Sequence, residues 1–112
     1  MIGYVEQLSQ ESTLTISSVT AMEIIAGCRN KQHLKICMSF VKSFSTAQIT
    51  ESVSKKAVEL MKVYYLSHGL LQADALIAAT ALKSSMPLLT LNQKDFRFIE
   101  EITLLPTESQ RA

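Results

Sequence analysis

The stretch QADALIAATALKSSMPLLTLNQKDF, residues 72–96, decides how the rest of the chain is read. Its first half is Ala-rich and apolar, and the spacing predicts a helix over Asp74–Ser84. Pro87 then punctuates the chain and introduces a short, near-continuous apolar run, Leu88–Leu91, which predicts a strand. A strand that is apolar on both faces belongs in a parallel sheet covered by helices. A short helical turn from Lys94 to Ile99 follows, and then a second apolar run, Ile102–Leu105.

Working outward, the same alternation recurs. Leu14–Val19 is β-prone, and Thr20 opens a helix that runs to Cys28. Lys31–Phe44 carries Leu34, Ile36, Cys37, Met38, Phe40, Val41 and Phe44, mostly at helical spacing. Ala47–Thr50 is a brief candidate strand. Ser52–His68 is a helix with Val53, Ala57, Leu60, Met61 and Tyr64 on one face, and Gly69 is placed to end it. Strands alternating with helices predict an α/β layered domain with a mostly parallel sheet.

Bulk properties bound the rest. The 112 residues suffice for one small domain, expected to span 1–112. With 47% hydrophobic and 19% charged residues, the chain is globular rather than disordered, and a net charge of +1 does not by itself announce a nucleic-acid partner. No apolar run approaches the ~20 residues of a membrane helix. The opening MIGYVEQLSQ is amphipathic and lacks the layout of a signal peptide. Cys28 and Cys37 match no common zinc or redox spacing, so they are expected to be buried free thiols of a cytoplasmic protein.

Acidic and amide side chains fall beside three strand–helix junctions. They are Glu23 in SSVTAMEIIAG, Asp74 in LQADALIAATA, and Asn92 with Asp95 in LLTLNQKDF. Ligands of open α/β sheets gather at the carboxyl ends of strands. Hard oxygen donors without His or Cys suit Mg²⁺ or Mn²⁺, and such sites serve phosphodiester hydrolysis. Each acid also has a purely structural reading. Thr20-x-x-Glu23 fits a capping box, Asp74 suits the first turn of a helix, and Asn92 and Asp95 suit a turn and an N-cap. Residue spacing leaves both readings open.

The segments ISSVTAMEIIAG, ADALIAATAL and LLTLNQKDFRFI, in this order and at these separations, resemble three signature stretches of the PIN-domain ribonuclease toxins of the VapC type. The resemblance spans about residues 12 to 106. It implies a three-layer α/β/α fold and a Mg²⁺- or Mn²⁺-dependent endoribonuclease. It also implies a cytoplasmic toxin of a toxin–antitoxin pair, blocked by a VapB-like antitoxin, acting on RNA such as tRNA and expected as a homodimer. Carried over by position, Glu23, Asp74 and Asn92 match acidic metal positions, with Asp95 a substitute for Asn92. Thr20 and Thr90 match supporting hydroxyl positions.

The family begins with a central strand ending in an Asp-x-Asn motif. Here no Asp precedes position 74, and MIGYVEQLSQ resembles the end of the family's first helix. Glu6 and Glu11 follow no strand. The resemblance therefore implies a missing first strand and a missing metal ligand, as from a reading frame that starts late. Weakened metal binding and a less stable sheet would follow. The alternative function is a catalytically impaired remnant that acts only in antitoxin binding or dimerisation.

Among other features, the acid-free stretch from Ile24 to Thr50 carries Arg29, Lys31, Lys35 and Lys42, which reads either as an RNA-backbone contact or as a solvated face. Phe40 and Phe44 are expected in the core. Tyr64, Tyr65 and Leu66 suit a patch for a second subunit or an antitoxin helix. His33 and His68 are expected to be structural.

Overall fold

A computed structural model of the chain describes residues 15–88 and 93–104. These divide into two units, one within residues 2–48 and one from residue 49 onward. The first unit holds β1 (Thr15–Ser17), α1 (Ser18–Ala26), α2 (Lys31–Lys42) and β2 (Ser45–Ala47). β1 and β2 pair in parallel, with Thr15 opposite Ser45, Ile16 opposite Thr46 and Ser17 opposite Ala47. A parallel pair needs a crossover, and the two helices supply it.

Strand and helix meet at Ser17. This buried residue is both the last of β1 and the N-cap of α1, and its Oγ accepts the Thr20 N–H at 2.9 Å. The helix therefore starts at Ser18 rather than at Thr20, and the expected strand Leu14–Val19 closes at Ser17. The capping-box reading of Thr20 and Glu23 fails for that reason. The cap is Ser17, and Glu23 lies within the helix body, exposed. The candidate strand at Ala47–Thr50 is likewise displaced toward the N-terminus, because Thr50 is drawn off as a helix cap, accepting from the Val53 N–H at 3.2 Å. Phe44, just beyond α2, is buried as expected, but Phe40 on α2 is only half-buried and meets it edge-on with ring centroids 5.1 Å apart.

The second unit is built on α3 (Glu51–His68) and α4 (Gln72–Lys83). Val53, Ala57 and Leu60 form the buried face of α3. α4 is buried at Ala75 and at every position from Ile77 to Ala81. Alanine's small side chain lets the two helices approach closely. Thr80 tolerates burial by donating its hydroxyl to the Leu76 carbonyl at 2.8 Å.

Gly69 ends α3 in the left-handed region (φ 66°), its N–H donating to Tyr65 O at 2.7 Å. At the end of α4 the left-handed position is taken by Ser85 (φ 53°). Leu88 forms an isolated parallel bridge with Leu104, the Leu88 N–H donating to Thr103 O at 2.7 Å. The helical turn expected over Lys94–Ile99 is a 3-10 turn, Gln93–Asp95, that leads into the buried Phe96 and Ile99. Lys56 on α3 ties this segment down through both carboxylate oxygens of Glu101, each at 3.0 Å.

Candidate functional site

Glu23 belongs to the first unit. It sits one helical turn beyond the carboxyl end of β1, three residues after Thr20, which places the two on one face of α1. Thr20 is half-buried and its hydroxyl receives a 2.9 Å hydrogen bond from Ser17 Oγ. The end of the strand thus fixes the start of the helix that presents Glu23 to solvent.

Asp74 and Asp95 belong to the second unit. Asp74 is half-buried in the first turn of α4, whose N-cap, Leu71, has no side chain able to accept a backbone N–H. A carboxylate there meets the positive end of the helix dipole. Asp95 is half-buried and closes the 3-10 turn, so it is not the N-cap that spacing alone allowed. Asn92 and Thr90 lie outside the described residues. The structure thus groups Asp74 with Asp95 in one unit and puts Glu23 in the other.

The cationic candidates are all exposed. Lys31, Lys35 and Lys42 line one groove along α2 together with Leu34, Met38 and Ser39. Spacings of four and seven residues put the three ammonium groups on a single helix face. Arg29 precedes α2, and its backbone N–H donates to His33 Nδ1 at 3.3 Å.

Two expectations about side chains need correction. Cys28 and Cys37 are half-buried, and they are not separate core thiols. With His33 they form a trio whose ligating atoms all lie within 4.8 Å of one another. A hydrogen bond with the Cys37 thiol, followed by burial, pushes the Cys28 thiol above its ordinary range. The missed signal was His33 and Cys37 four residues apart on one helix, directly after Cys28. Reading the two cysteines as a pair hid the histidine between them. His68, by contrast, is structural as expected: its ring stacks on Phe98 with centroids 4.2 Å apart, and Tyr64 packs edge-on against Phe98 at 5.3 Å.

A parallel strand pair joined by a helical crossover, with two further packed helices in the second unit, is an α/β framework. Comparison with known proteins makes this specific. The PIN domain family model matches residues 2–101, and the chain belongs to the PIN-domain family. Within it the similarity runs to the VapC type. Ribonuclease VapC10 of Mycobacterium tuberculosis is 32% identical over 94 residues, covering 83% of this chain and 70% of the relative. A toxin–antitoxin complex from Klebsiella pneumoniae superposes with a TM-score of 0.70 at 26% identity, covering 88% of this chain and 80% of that one. VapBC2 of Rickettsia felis, solved bound to a DNA fragment from its promoter, gives a TM-score of 0.72 at 23% identity, covering 92% and 81%. That likeness carries the fold.

Proposed function

We propose that the chain is a VapC-type endoribonuclease toxin that hydrolyses RNA phosphodiester bonds with carboxylate-held Mg²⁺ or Mn²⁺, and that a VapB-like antitoxin restrains it. The observation that carries this reading is the position of Glu23. This exposed acid stands one turn past the buried end of β1, with no side-chain hydrogen bond or ion pair among the described residues, and the PIN family match runs through it. Asp74 and Asp95 supply oxygen donors of the same hard character, half-buried so that water competes less for their charge.

Glu23, Asp74, Asp95 and Asn92 would hold the ion. Once bound, it supplies an acidified water and charge neutralisation at the phosphoryl oxygens. Thr20 and Thr90 are assigned supporting roles beside these acids. Lys31, Lys35 and Lys42, with Arg29 near them, give the RNA backbone a line of positive charge to lie along. Exposed Val58, Tyr65 and Leu66 share one side of α3, a surface suited to the apolar face of an antitoxin helix.

The test is cleavage of a panel of tRNAs and structured RNAs with Mn²⁺, comparing the chain with its Asp74→Asn variant. Cleavage that disappears in a folded Asp74→Asn protein supports the reading. A folded wild-type chain that leaves every RNA intact, with and without Mn²⁺, overturns it.

A further inference from the structure

We propose that Cys28, His33 and Cys37 form a second metal site, one for a thiophilic d¹⁰ cation, Zn²⁺, clipping the C-terminal end of α1 to the first turns of α2. The three residues lie in one unit. Cys28 stands two residues beyond α1, and His33 and Cys37 are successive turns of one face of α2. Their ligating atoms lie within 4.8 Å of one another. Ligands about 2.0 to 2.3 Å from a tetrahedral zinc are themselves under about 4 Å apart, so rotation of half-buried side chains closes the remaining distance.

The donor set selects the metal. Two thiolates and an imidazole are soft to borderline ligands, which favour Zn²⁺ over the hard Mg²⁺ or Mn²⁺ of a carboxylate site. Three protein ligands leave the fourth tetrahedral position to water.

The local backbone prepares the site. Asn30 caps α2, its Oδ1 accepting the His33 N–H at 2.8 Å, and this fixes where the imidazole begins. His33 Nδ1 accepts the Arg29 N–H at 3.3 Å, while the Cys28 thiol donates to Ile24 O at 3.5 Å. Both bonds are long, so a metal displaces little. A neutral imidazole has one lone pair, so metal binding must release the Arg29 contact. Only thiolates ligate, so the two thiols release their protons to solvent on binding. Affinity therefore rises with pH.

The experiment uses the reduced full chain without a histidine tag and titrates it with Co²⁺, a coloured stand-in for Zn²⁺. The expected result is one equivalent bound with an intense thiolate-to-cobalt charge-transfer band, bleached when Zn²⁺ displaces the cobalt. Cys37→Ser should weaken binding by at least about a hundredfold and remove the band, since even orienting partners of metal ligands are worth up to that much. Asp74→Asn should leave the band intact, which separates this site from any carboxylate site. Should Cys37→Ser fail to fold, Zn²⁺ protection of both wild-type thiols from alkylation reads the same contact. A folded, reduced chain that shows no charge-transfer band overturns the proposal. So does a band that survives in a folded Cys37→Ser protein, or a reduced chain that only forms a Cys28–Cys37 disulfide in air and takes up no metal.

Discussion

Ser17 Oγ accepts the Thr20 backbone N–H at 2.9 Å and donates its own proton to Thr20 Oγ1 at the same distance, so one buried hydroxyl joins the end of β1 to the first turn of α1. Glu23 is carried one turn farther along. The direction in which this acid leaves the strand end is therefore set by Ser17. Replacing Ser17 by Ala strands the Thr20 N–H and removes the second bond. The expected cost is about 1 to 2 kcal/mol of stability, the range for a lost N-cap. Urea unfolding of Ser17→Ala beside wild type checks this, and a change below about 0.5 kcal/mol would show that the cap is dispensable.

Two left-handed residues close the two helices of the second unit with opposite chemistry. Gly69 (φ 66°) meets nothing within 4 Å of a Cβ, so Gly69→Ala is penalised by backbone conformation alone, at about 1 kcal/mol. Ser85 (φ 53°) already bears that strain, and Ser85→Gly should relieve it. Glycine's looser unfolded chain offsets part of the gain, leaving a stabilisation of about 0.5 kcal/mol. Thermal melts of the two variants should shift in opposite directions, and a shared direction would refute the account.

The extent to which the sequence disclosed all this depends on range. Gly69, the Val53–Ala57–Leu60 face and the buried Phe44 follow from neighbours three and four residues apart, and the structure holds them where periodicity put them, while Phe40 is only half-buried. The helix starts did not follow as well. Ser17 and Thr20 are both good caps by composition, and the choice between them depends on β1 pairing with β2, thirty residues away. The acids were legible as a set only through the family resemblance, because each taken alone suits an ordinary helix end. The cysteine–histidine trio was illegible for a related reason: contact across the turn between α1 and α2 depends on how two helices pack.

Glu23 is exposed and Asp74 half-buried, which allows activity to be separated from stability. Glu23→Gln should leave the unfolding midpoint unchanged and lower RNA cleavage by about a hundredfold or more, because it removes an anionic oxygen from the set proposed to hold the ion. Asp74→Asn should lower cleavage similarly and also cost about 0.3 to 1 kcal/mol, because the carboxylate faces the N-terminus of α4. Single-turnover cleavage and urea melts on the same preparations measure both. Full activity in Glu23→Gln would remove this residue from the site.

Lys56 is held as an ammonium by Glu101. Its hydrogen bond to Glu101 outweighs the burial that opposes it, and the ammonium pKa is raised above 10.5. A folded pKa above the unfolded one means that the contribution is fully present below the unfolded value and is lost as pH rises through the folded value. Glu101 is largely exposed, so solvent screens the pair to about 1 kcal/mol or less. Wild type and Lys56→Met should therefore differ most near neutral pH and converge in alkali, as pH rises through the raised Lys56 pKa. Stability measured against pH for both proteins tests the sign, and a gap that widens in alkali would contradict it.

Lys31, Lys35 and Lys42 share one groove of α2 without a carboxylate among its lining residues. If they neutralise phosphates of bound RNA, each releases a counterion, and the logarithm of affinity falls against the logarithm of salt with a slope of about 0.7 per contact for a single strand. Replacing all three by Ala should reduce that slope by about 2. The loss should be uniform across RNA sequences, because phosphate contacts position a strand without reading its bases. Because the three side chains are exposed, the fold should persist. Fluorescence anisotropy with a labelled RNA over a range of salt, using a cleavage-deficient Asp74→Asn background, supplies the slope. An unchanged slope would show that the lysines are only the solvated side of α2, and the RNA path would then have to be sought elsewhere in the domain.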